Sequence, residues 1–131
     1  MNLLFSINQK CAQHLCTCIR SIIKNGGEEH YEIYILHSDL GSNEMEMVHR
    51  EAGSSAVCHF IPVDETIFDG FPETSRYPKQ IYYRLASPLL LPETVDKILY
   101  LDVDIIVINP LRELYQMDFE GNYYIACSHV R

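Results

Sequence analysis

Three short apolar segments alternate with two segments of helical periodicity in the first half of the sequence. The apolar segments are residues 3–7, 31–36 and 57–63. Between them, apolar residues recur at the spacing of one helix face: Ala12, Leu15, Ile19, Ile22 and Ile23, then Met45, Val48 and Ala52. This order is typical of βαβ units, in which the strands run parallel and the crossovers are right-handed. It therefore predicts an α/β protein, with a mostly parallel sheet flanked by helices.

Turn and cap residues predict where the helices end. Asn43 with Glu46 three positions later predicts a capping box for the second helix, and Gly53 predicts its end. Pro78 suits the first position of a third helix, which Pro88 is expected to stop. Residues 64–78 have no clear period and are predicted to be a loop that contains about one turn of helix. The third helix is predicted to turn inward Tyr82, Leu85 and Ala86, with Tyr83 also assigned to the core.

The second half of the sequence predicts more β-structure around one pair of acidic residues. Residues 97–101 are the strongest strand signal in the chain, and residues 105–108 resume β character after Asp102-Val103-Asp104. A short helix is predicted near residues 111–115, and a last strand at residues 123–127. Because no linker or repeat interrupts the sequence, residues 1–131 are expected to form a single domain.

The charge and the cysteines limit the expected partners and compartment. With 18 acidic and 10 basic residues, the formal net charge is -8, which argues against binding to nucleic acid. No apolar run approaches the roughly 18 residues that a transmembrane segment needs. The five cysteines are an odd number without a CxxC pair, and they predict reduced thiols in a cytoplasmic protein.

The acidic pair Asp102 and Asp104 is the strongest candidate for chemistry. Ionised carboxylates at the end of a buried strand are costly unless they are paired or bind a metal. Ligands of open α/β sheets bind beyond the carboxyl ends of the strands. Mn²⁺ or Mg²⁺ takes carboxylate and phosphate oxygens, so the pair predicts a divalent cation that holds a diphosphate. The alternative is that both aspartates only end the strand and cap the next turn.

A second enzymatic interpretation of the same pair is a phosphatase of the haloacid-dehalogenase type. Those enzymes also place Asp-x-Asp after an apolar strand, and the first Asp is the nucleophile. Their pattern continues with a small residue, usually Gly, whereas Ile105 and Ile106 follow here. In this chain the βα units also precede the acidic pair instead of following it. Both differences disfavour the phosphatase.

Three motifs in the second half of the chain occur together. Residues 77–85 read YPKQIYYRL, residues 91–92 read LP, and residues 96–107 read DKILYLDVDIIV. Together they resemble glycosyltransferase family 8, which includes bacterial lipopolysaccharide galactosyl- and glucosyltransferases and glycogenin. The resemblance covers essentially the whole chain, from the first strand to residues 118–122. It implies a Rossmann-like GT-A fold, a UDP-sugar donor, Mn²⁺ and transfer with retention of anomeric configuration.

The same motifs imply roles for individual residues. Asp102 and Asp104 match the metal ligands of the family, with Val103 between them at the donor. Arg84 matches an arginine near the donor diphosphate and sugar, and Lys79 matches a lysine that reaches the donor in glycogenin-like members. Without the resemblance, Arg84 is interpreted as a solvated helix charge and Lys79 as a loop residue.

The segment after the first strand departs from the family pattern. Family members usually carry an acidic residue and then Asn-Tyr there, and these contact the uracil and the ribose. Here the donor-binding positions implied by the resemblance are Ser6, Ile7, Asn8 and Cys11. The Asn8 amide can hydrogen-bond a base edge, but Cys11 has no ring on which a base could stack. The departure predicts altered base selectivity and donor affinity.

The chain is also considerably shorter than the catalytic domains of the family. The missing part normally supplies a histidine as third metal ligand and most of the acceptor site. The chain is therefore expected to be the truncated donor-binding part of a transferase that moves a hexosyl group to the hydroxyl of a saccharide or glycolipid acceptor. The alternative is a non-catalytic nucleotide-sugar-binding or assembly module. An exposed sheet edge also predicts possible self-association.

Overall fold

A four-stranded parallel sheet forms the centre of the molecule in the computed structural model, which describes residues 1–28, 30–74 and 79–127. The strands are β1 (Asn2–Ser6), β2 (Tyr31–His37), β3 (Ala56–Pro62) and β4 (Leu99–Tyr100), in the order β3-β2-β1-β4. All three neighbouring pairs are parallel, which confirms the predicted sheet. None of the helices in the described part of the chain combines the length and apolar character that a membrane crossing requires.

Helices connect the strands and cover both faces of the sheet. Helix α1 (Ala12–Asn25) links β1 to β2, and α2 (Ser42–Ala52) links β2 to β3. Helix α3 (Tyr83–Leu90) precedes β4, and the short α4 (Arg112–Tyr115) follows it. Three 3₁₀ turns precede α1, follow β3 and precede α3: Gln9–Cys11, Glu65–Phe68 and Lys79–Tyr82.

Alternate residues of the strands bury two separate apolar layers. Below α1 and α2 the layer includes Leu3, Phe5, Leu15, Ile19, Ile22, Ile33 and Ile35. On the α3 side it comprises Leu4, Tyr34, Leu36, Val63, Phe68, Tyr83 and Ala86. Each large side chain buried in this way contributes roughly 1.5–3 kcal/mol. The two layers explain why the central strands are apolar on both faces.

Helix α2 begins two residues earlier than the predicted capping box. Gly41 is the residue before the helix, and its N–H donates to the Glu44 carboxylate at 3.1 Å. The same carboxylate accepts the Gln9 side-chain amide at 3.0 Å. These two bonds fix the first turn, so Asn43 already lies inside the helix and does not cap it with Glu46. The predicted Asn43–Glu46 box is therefore wrong.

Helix α3 continues through Pro88 to Leu90, against the expected stop. Proline cannot donate to the carbonyl four residues earlier, which here belongs to Arg84. The Ser87 hydroxyl donates to that carbonyl at 2.8 Å and so replaces the missing bond. The predicted inward face is also partly wrong, because Ala86 is buried but Leu85 is 66% exposed. Tyr83 is completely buried, as expected.

The predicted strands that follow Asp104 do not form in the described residues. At residues 105–108, Val107 gives its N–H to the Ser21 hydroxyl (2.9 Å), and its carbonyl accepts the Asn25 amide (2.8 Å). Its backbone groups are thus satisfied by α1 instead of by a neighbouring strand. Residues 123–127 pair with no strand in the described part of the chain, and Tyr123 is fully exposed. β4 itself is shorter than the predicted residues 97–101 because only Leu99–Tyr100 pairs with β1.

Candidate functional site

The acidic pair lies at the carboxyl end of β4, beside the carboxyl end of β1. Leu101 donates its N–H to the Leu4 carbonyl at 3.0 Å, which carries the β1–β4 pairing up to the first aspartate. Val103 and Asp104 then form a turn, and both Asp102 and Asp104 are exposed. In an open parallel sheet this edge is where ligands bind. The predicted position of the pair at a sheet edge is confirmed.

Asp102 belongs to a three-residue cluster with Tyr100 and Arg84. The Tyr100 hydroxyl donates to Asp102 Oδ1 at 2.9 Å, and Arg84 Nη2 lies 3.8 Å from the same oxygen. The guanidinium carbon of Arg84 is 4.3 Å from the Tyr100 ring centroid, and its Nε donates to the Ile81 carbonyl at 3.1 Å. The cation–π contact and the carbonyl orient the guanidinium towards the acidic pair. The structure therefore brings the predicted residues Arg84 and Asp102 together.

Tyr100 was not among the predicted site residues. Burial raises the pKa of its phenol to about 12, the Asp102 carboxylate adds to the rise, and Arg84 opposes it. Tyr100 therefore stays a neutral hydrogen-bond donor to Asp102 near pH 7. One sequence signal could have identified it, since alternate residues of a strand share a face and Tyr100 is two positions before Asp102.

The Arg84–Asp102 ion pair is long and partly exposed. The side chains are 37% and 59% exposed, and a pair at 3.8 Å in this setting contributes little stability because water screens it. Arg84 is therefore not neutralised by a tight bidentate contact. A guanidinium held in this way retains donors for a phosphate, which it binds with matching planar geometry.

Two buried polar atoms, Asn8 Oδ1 just after β1 and His37 Nε2 at the end of β2, have no hydrogen-bond partner among the described residues. Ser6 Oγ, also buried, interacts with the Tyr100 hydroxyl and so lowers the pKa of that phenol. Ser6 and Asn8 were predicted as donor-binding residues, whereas His37 was not. Buried polar atoms are rarely left unsatisfied in native proteins, so a ligand or a water is expected at Asn8 Oδ1 and at His37 Nε2. The sequence signal for His37 is a polar residue that ends an otherwise apolar strand.

His37 is neutral in this environment. Its Nδ1 accepts the Leu40 N–H at 3.4 Å, so the ring proton is assigned to Nε2. Burial lowers the pKa of His37 below its ordinary value of 6.5, and nearby Asp39 partly opposes that effect. Asp39 also accepts the Gln9 N–H at 2.9 Å and thereby joins the loops that follow β1 and β2.

The remaining predicted site residues lie in other surroundings. Lys79 pairs with Asp69 at 3.0 Å and with Glu73 at 3.9 Å, and the hydrogen bond that its ammonium donates to Asp69 raises the pKa of Lys79. Ile7 is buried, and its N–H donates to the Leu36 carbonyl. Two half-buried residues of the predicted set, Cys11 and Val103, pack against the core below α1 and α2. Direct contact of these residues with a donor stays a prediction.

The chemistry of the acidic pair decides which cation it suits. Within the described ranges, no three His, Cys, Asp or Glu side chains come together as a metal site. Asp102 and Asp104 supply carboxylate oxygens, the ligand type of Mn²⁺ and Mg²⁺. Mg²⁺ sites commonly use one or two protein carboxylates with substrate phosphates and water. The pair therefore fits a cation shared with a diphosphate, and it does not fit a cation held by protein alone.

The sequence is similar to several transferases. It matches glycosyl transferase family 8 over residues 2–130. It is 30% identical over 128 residues to a putative glycosyltransferase of Haemophilus influenzae, which covers 97% of this chain and 38% of that protein. It is 26% identical over 123 residues to a lipopolysaccharide 1,2-glucosyltransferase of Escherichia coli, covering 93% of this chain and 36% of that one.

The fold is similar to solved transferase structures. Galactosyltransferase LgtC, in complex with donor and acceptor sugar analogues, superposes with a TM-score of 0.82 at 26% identity, covering 91% of this chain and 43% of that one. Glycosyltransferase GlyE of Streptococcus pneumoniae has the same fold, with a TM-score of 0.69 at 21% identity, covering 93% of this chain and 28% of that one. The chain thus spans less than half the length of these relatives. By its GT-A fold and its match over nearly every residue, it belongs to glycosyltransferase family 8.

Proposed function

We propose that this chain is the donor-binding part of a metal-dependent retaining transferase that moves a hexosyl group from a UDP-sugar to an acceptor hydroxyl. The carrying observation is the cluster of Asp102, Arg84 and Tyr100 at the carboxyl edge of the sheet. The neighbouring strand β1 ends at Ser6, whose buried hydroxyl interacts with Tyr100, and two residues later the buried Asn8 Oδ1 has no partner among the described residues. A nucleoside diphosphate has the matching chemistry, a polar base at one end and two phosphates at the other.

The proposed roles follow from the contacts. Asp102 and Asp104 would hold Mn²⁺, or Mg²⁺, and such a cation would supply positive charge to the UDP leaving group. Tyr100 and Arg84 both contact Oδ1 of Asp102, which restrains the carboxylate in one orientation. Arg84 donates to diphosphate oxygens and stabilises the charge that develops there as the sugar leaves. Asn8 Oδ1 accepts an N–H of the base. We assign no nucleophile.

The acceptor and the location belong to the same proposal. A saccharide or glycolipid acceptor is supported by the similarity to a lipopolysaccharide glucosyltransferase. The five cysteines are unpaired, which supports a reducing compartment and hence the cytoplasm. Because the chain spans less than half of its relatives, we propose that transfer also needs residues equivalent to their remaining part.

A non-catalytic nucleotide-sugar-binding module is the second candidate. It is favoured by the small number of protein ligands, because among the described residues only the two carboxylates of the acidic pair are available to a metal. Both candidates predict binding of UDP that depends on the metal, and they differ in turnover. Hydrolysis or transfer of a UDP-hexose with Mn²⁺ present would favour the enzyme. Binding without either reaction, in a chain that also carries residues equivalent to the remaining part of the relatives, would favour the module.

The direct test is calorimetric titration of UDP in Mn²⁺ and again in chelator. The double variant Asp102→Asn/Asp104→Asn should bind UDP in Mn²⁺ as weakly as the wild type does in chelator. A matched control is Glu93→Gln/Glu113→Gln, which removes two exposed negative charges at positions well before and after the acidic pair in the sequence. Binding that survives chelator, or that the control weakens equally, would contradict the metal assignment.

A further inference from the structure

The chain after Asp104 is held by side chains of α1. The Val107 N–H donates to the Ser21 hydroxyl at 2.9 Å, and its carbonyl accepts the Asn25 side-chain amide at 2.8 Å. A third bond follows four residues later, where Leu111 donates its N–H to the Gly26 carbonyl at 2.9 Å. The backbone that leaves the acidic pair is thus attached along one side of α1.

Ser21 is a polar residue on an otherwise apolar helix face. The other buried residues of α1 are Ala12, Leu15, Cys18, Ile19 and Ile22. The Ser21 hydroxyl uses its single donor and one acceptor position, since it donates to the Cys18 carbonyl at 2.7 Å and accepts from Val107. Val107 is only 5% exposed, so its N–H would lose its partner in a dry environment if Ser21 were apolar. The serine is therefore matched to this one backbone group.

Asp104 lies within electrostatic reach of the same helix. Burial raises the pKa of the Cys18 thiol to about 11, and the charge of Asp104 adds to that rise. Cys18 is one helical turn before Ser21. On the other side of the acidic pair, Leu101 is bonded to Leu4 of β1 at 3.0 Å. Residues 102–106 are therefore held at both ends, by β1 before the pair and by α1 after it.

We propose that Ser21 and Asn25 are positioning residues for the acidic pair, holding Val107 so that the turn at Asp104 presents its carboxylate beside that of Asp102. This inference rests on the proposed function, because it concerns the same cation. Neither side chain touches the cation or the donor. Their effect is transmitted through three residues of backbone, which have no sheet partner of their own in the described structure.

The test compares Ser21→Ala and Asn25→Ala with the control Thr17→Ala. Thr17 is on the exposed side of α1, and its hydroxyl also donates to a carbonyl of its own helix, at 3.1 Å from Gln13. One measurement is the Mn²⁺ dissociation constant by electron paramagnetic resonance with UDP present, at a temperature where circular dichroism shows each variant folded. The other is hydrogen–deuterium exchange of the peptide that covers residues 102–107.

We expect Ser21→Ala and Asn25→Ala to weaken Mn²⁺ binding about tenfold, the lower end of the loss when the direct partner of a metal ligand is removed, because these contacts are to the backbone three residues after Asp104. Both should also speed exchange at Val107. Thr17→Ala should change neither, and Ser21→Thr, which keeps the hydroxyl, should restore both. Faster exchange with unchanged Mn²⁺ affinity would reduce both residues to a structural role and overturn the inference. If Ser21→Ala does not fold, Asn25→Ala decides alone. If the Asp102→Asn variant bound Mn²⁺ as tightly as the wild type, that result would instead overturn the proposed function.

Discussion

Replacing Tyr100 with phenylalanine removes one hydrogen bond from the site and leaves the rest of the cluster in place. The ring remains under the Arg84 guanidinium, and no cavity opens in the core. A hydrogen bond to a charged group contributes about 1.5–3 kcal/mol. Because the Asp102 side chain is 59% exposed, water recovers more than half of that when the phenol is gone. About 1 kcal/mol remains, which corresponds to roughly fivefold weaker binding of UDP with Mn²⁺.

Tyr115→Phe is the matched control for this experiment. The Tyr115 hydroxyl donates to the Lys97 carbonyl at 3.0 Å and accepts from the Asn2 N–H, at the opposite end of β4. The control should lower the thermal midpoint without changing the dissociation constant of UDP. Tyr100→Phe should raise the dissociation constant of UDP and leave the thermal midpoint nearly unchanged. Calorimetric titration and thermal unfolding of both variants give the comparison. Equal losses of affinity, or unchanged affinity in Tyr100→Phe, would refute the idea that the phenol orients Asp102.

Three further changes test other parts of the structure. Arg84→Lys should weaken UDP binding about tenfold, roughly 1.5 kcal/mol, because an ammonium lacks the planar fork, whereas Arg112→Lys at an exposed ion pair should leave titrations unchanged. Ser87→Ala should cost about 1 kcal/mol in urea unfolding, since the carbonyl facing Pro88 loses its donor. Because the pKa of His37 is lower in the folded chain than its ordinary value of 6.5, acidification protonates this imidazole in the unfolded chain first. The free energy of unfolding therefore falls as the pH drops through about 6.5. Urea unfolding of His37→Gln at pH 5.5 and 7.5 should show a smaller difference than the wild type, and an equal difference would argue against a buried neutral imidazole.

The first half of the fold was predictable because its signals are local. Helices α1 and α2 show their apolar stripes directly, and the three strands they connect are bounded by Gly, Asn and Pro. Residues 105–108 have an equally strong β pattern, yet Val107 gives its backbone groups to α1. A strand exists only where a partner supplies the ladder, and no propensity specifies that partner.

The site was predictable in its charged residues and not in their neighbours. Asp102 and Arg84 were identified from motifs, and they come together. Tyr100 was overlooked because a tyrosine in a strand is usually core, whereas this one packs against the core and also donates a hydrogen bond to Asp102. The pairing of Lys79 with Asp69 joins residues ten positions apart, so it had no periodic signal. Likewise, the orphaned Nε2 of His37 is a property of the packed structure.

Because β4 is short, the strands of the sheet are expected to unfold at different free energies. β2 and β3 pair over seven residues, whereas β4 pairs with β1 through only two, Leu99 and Tyr100. A strand with so few ladder bonds separates from the sheet at a smaller free energy than the central strands do. On heating, the acidic pair should therefore detach as part of a sub-global transition below the melting of β1–β3. A donor bound across the ends of β1 and β4 would raise the temperature of the first transition towards that of the second. The affinity for the donor and the stability of the β1–β4 pairing would then be two measures of one equilibrium.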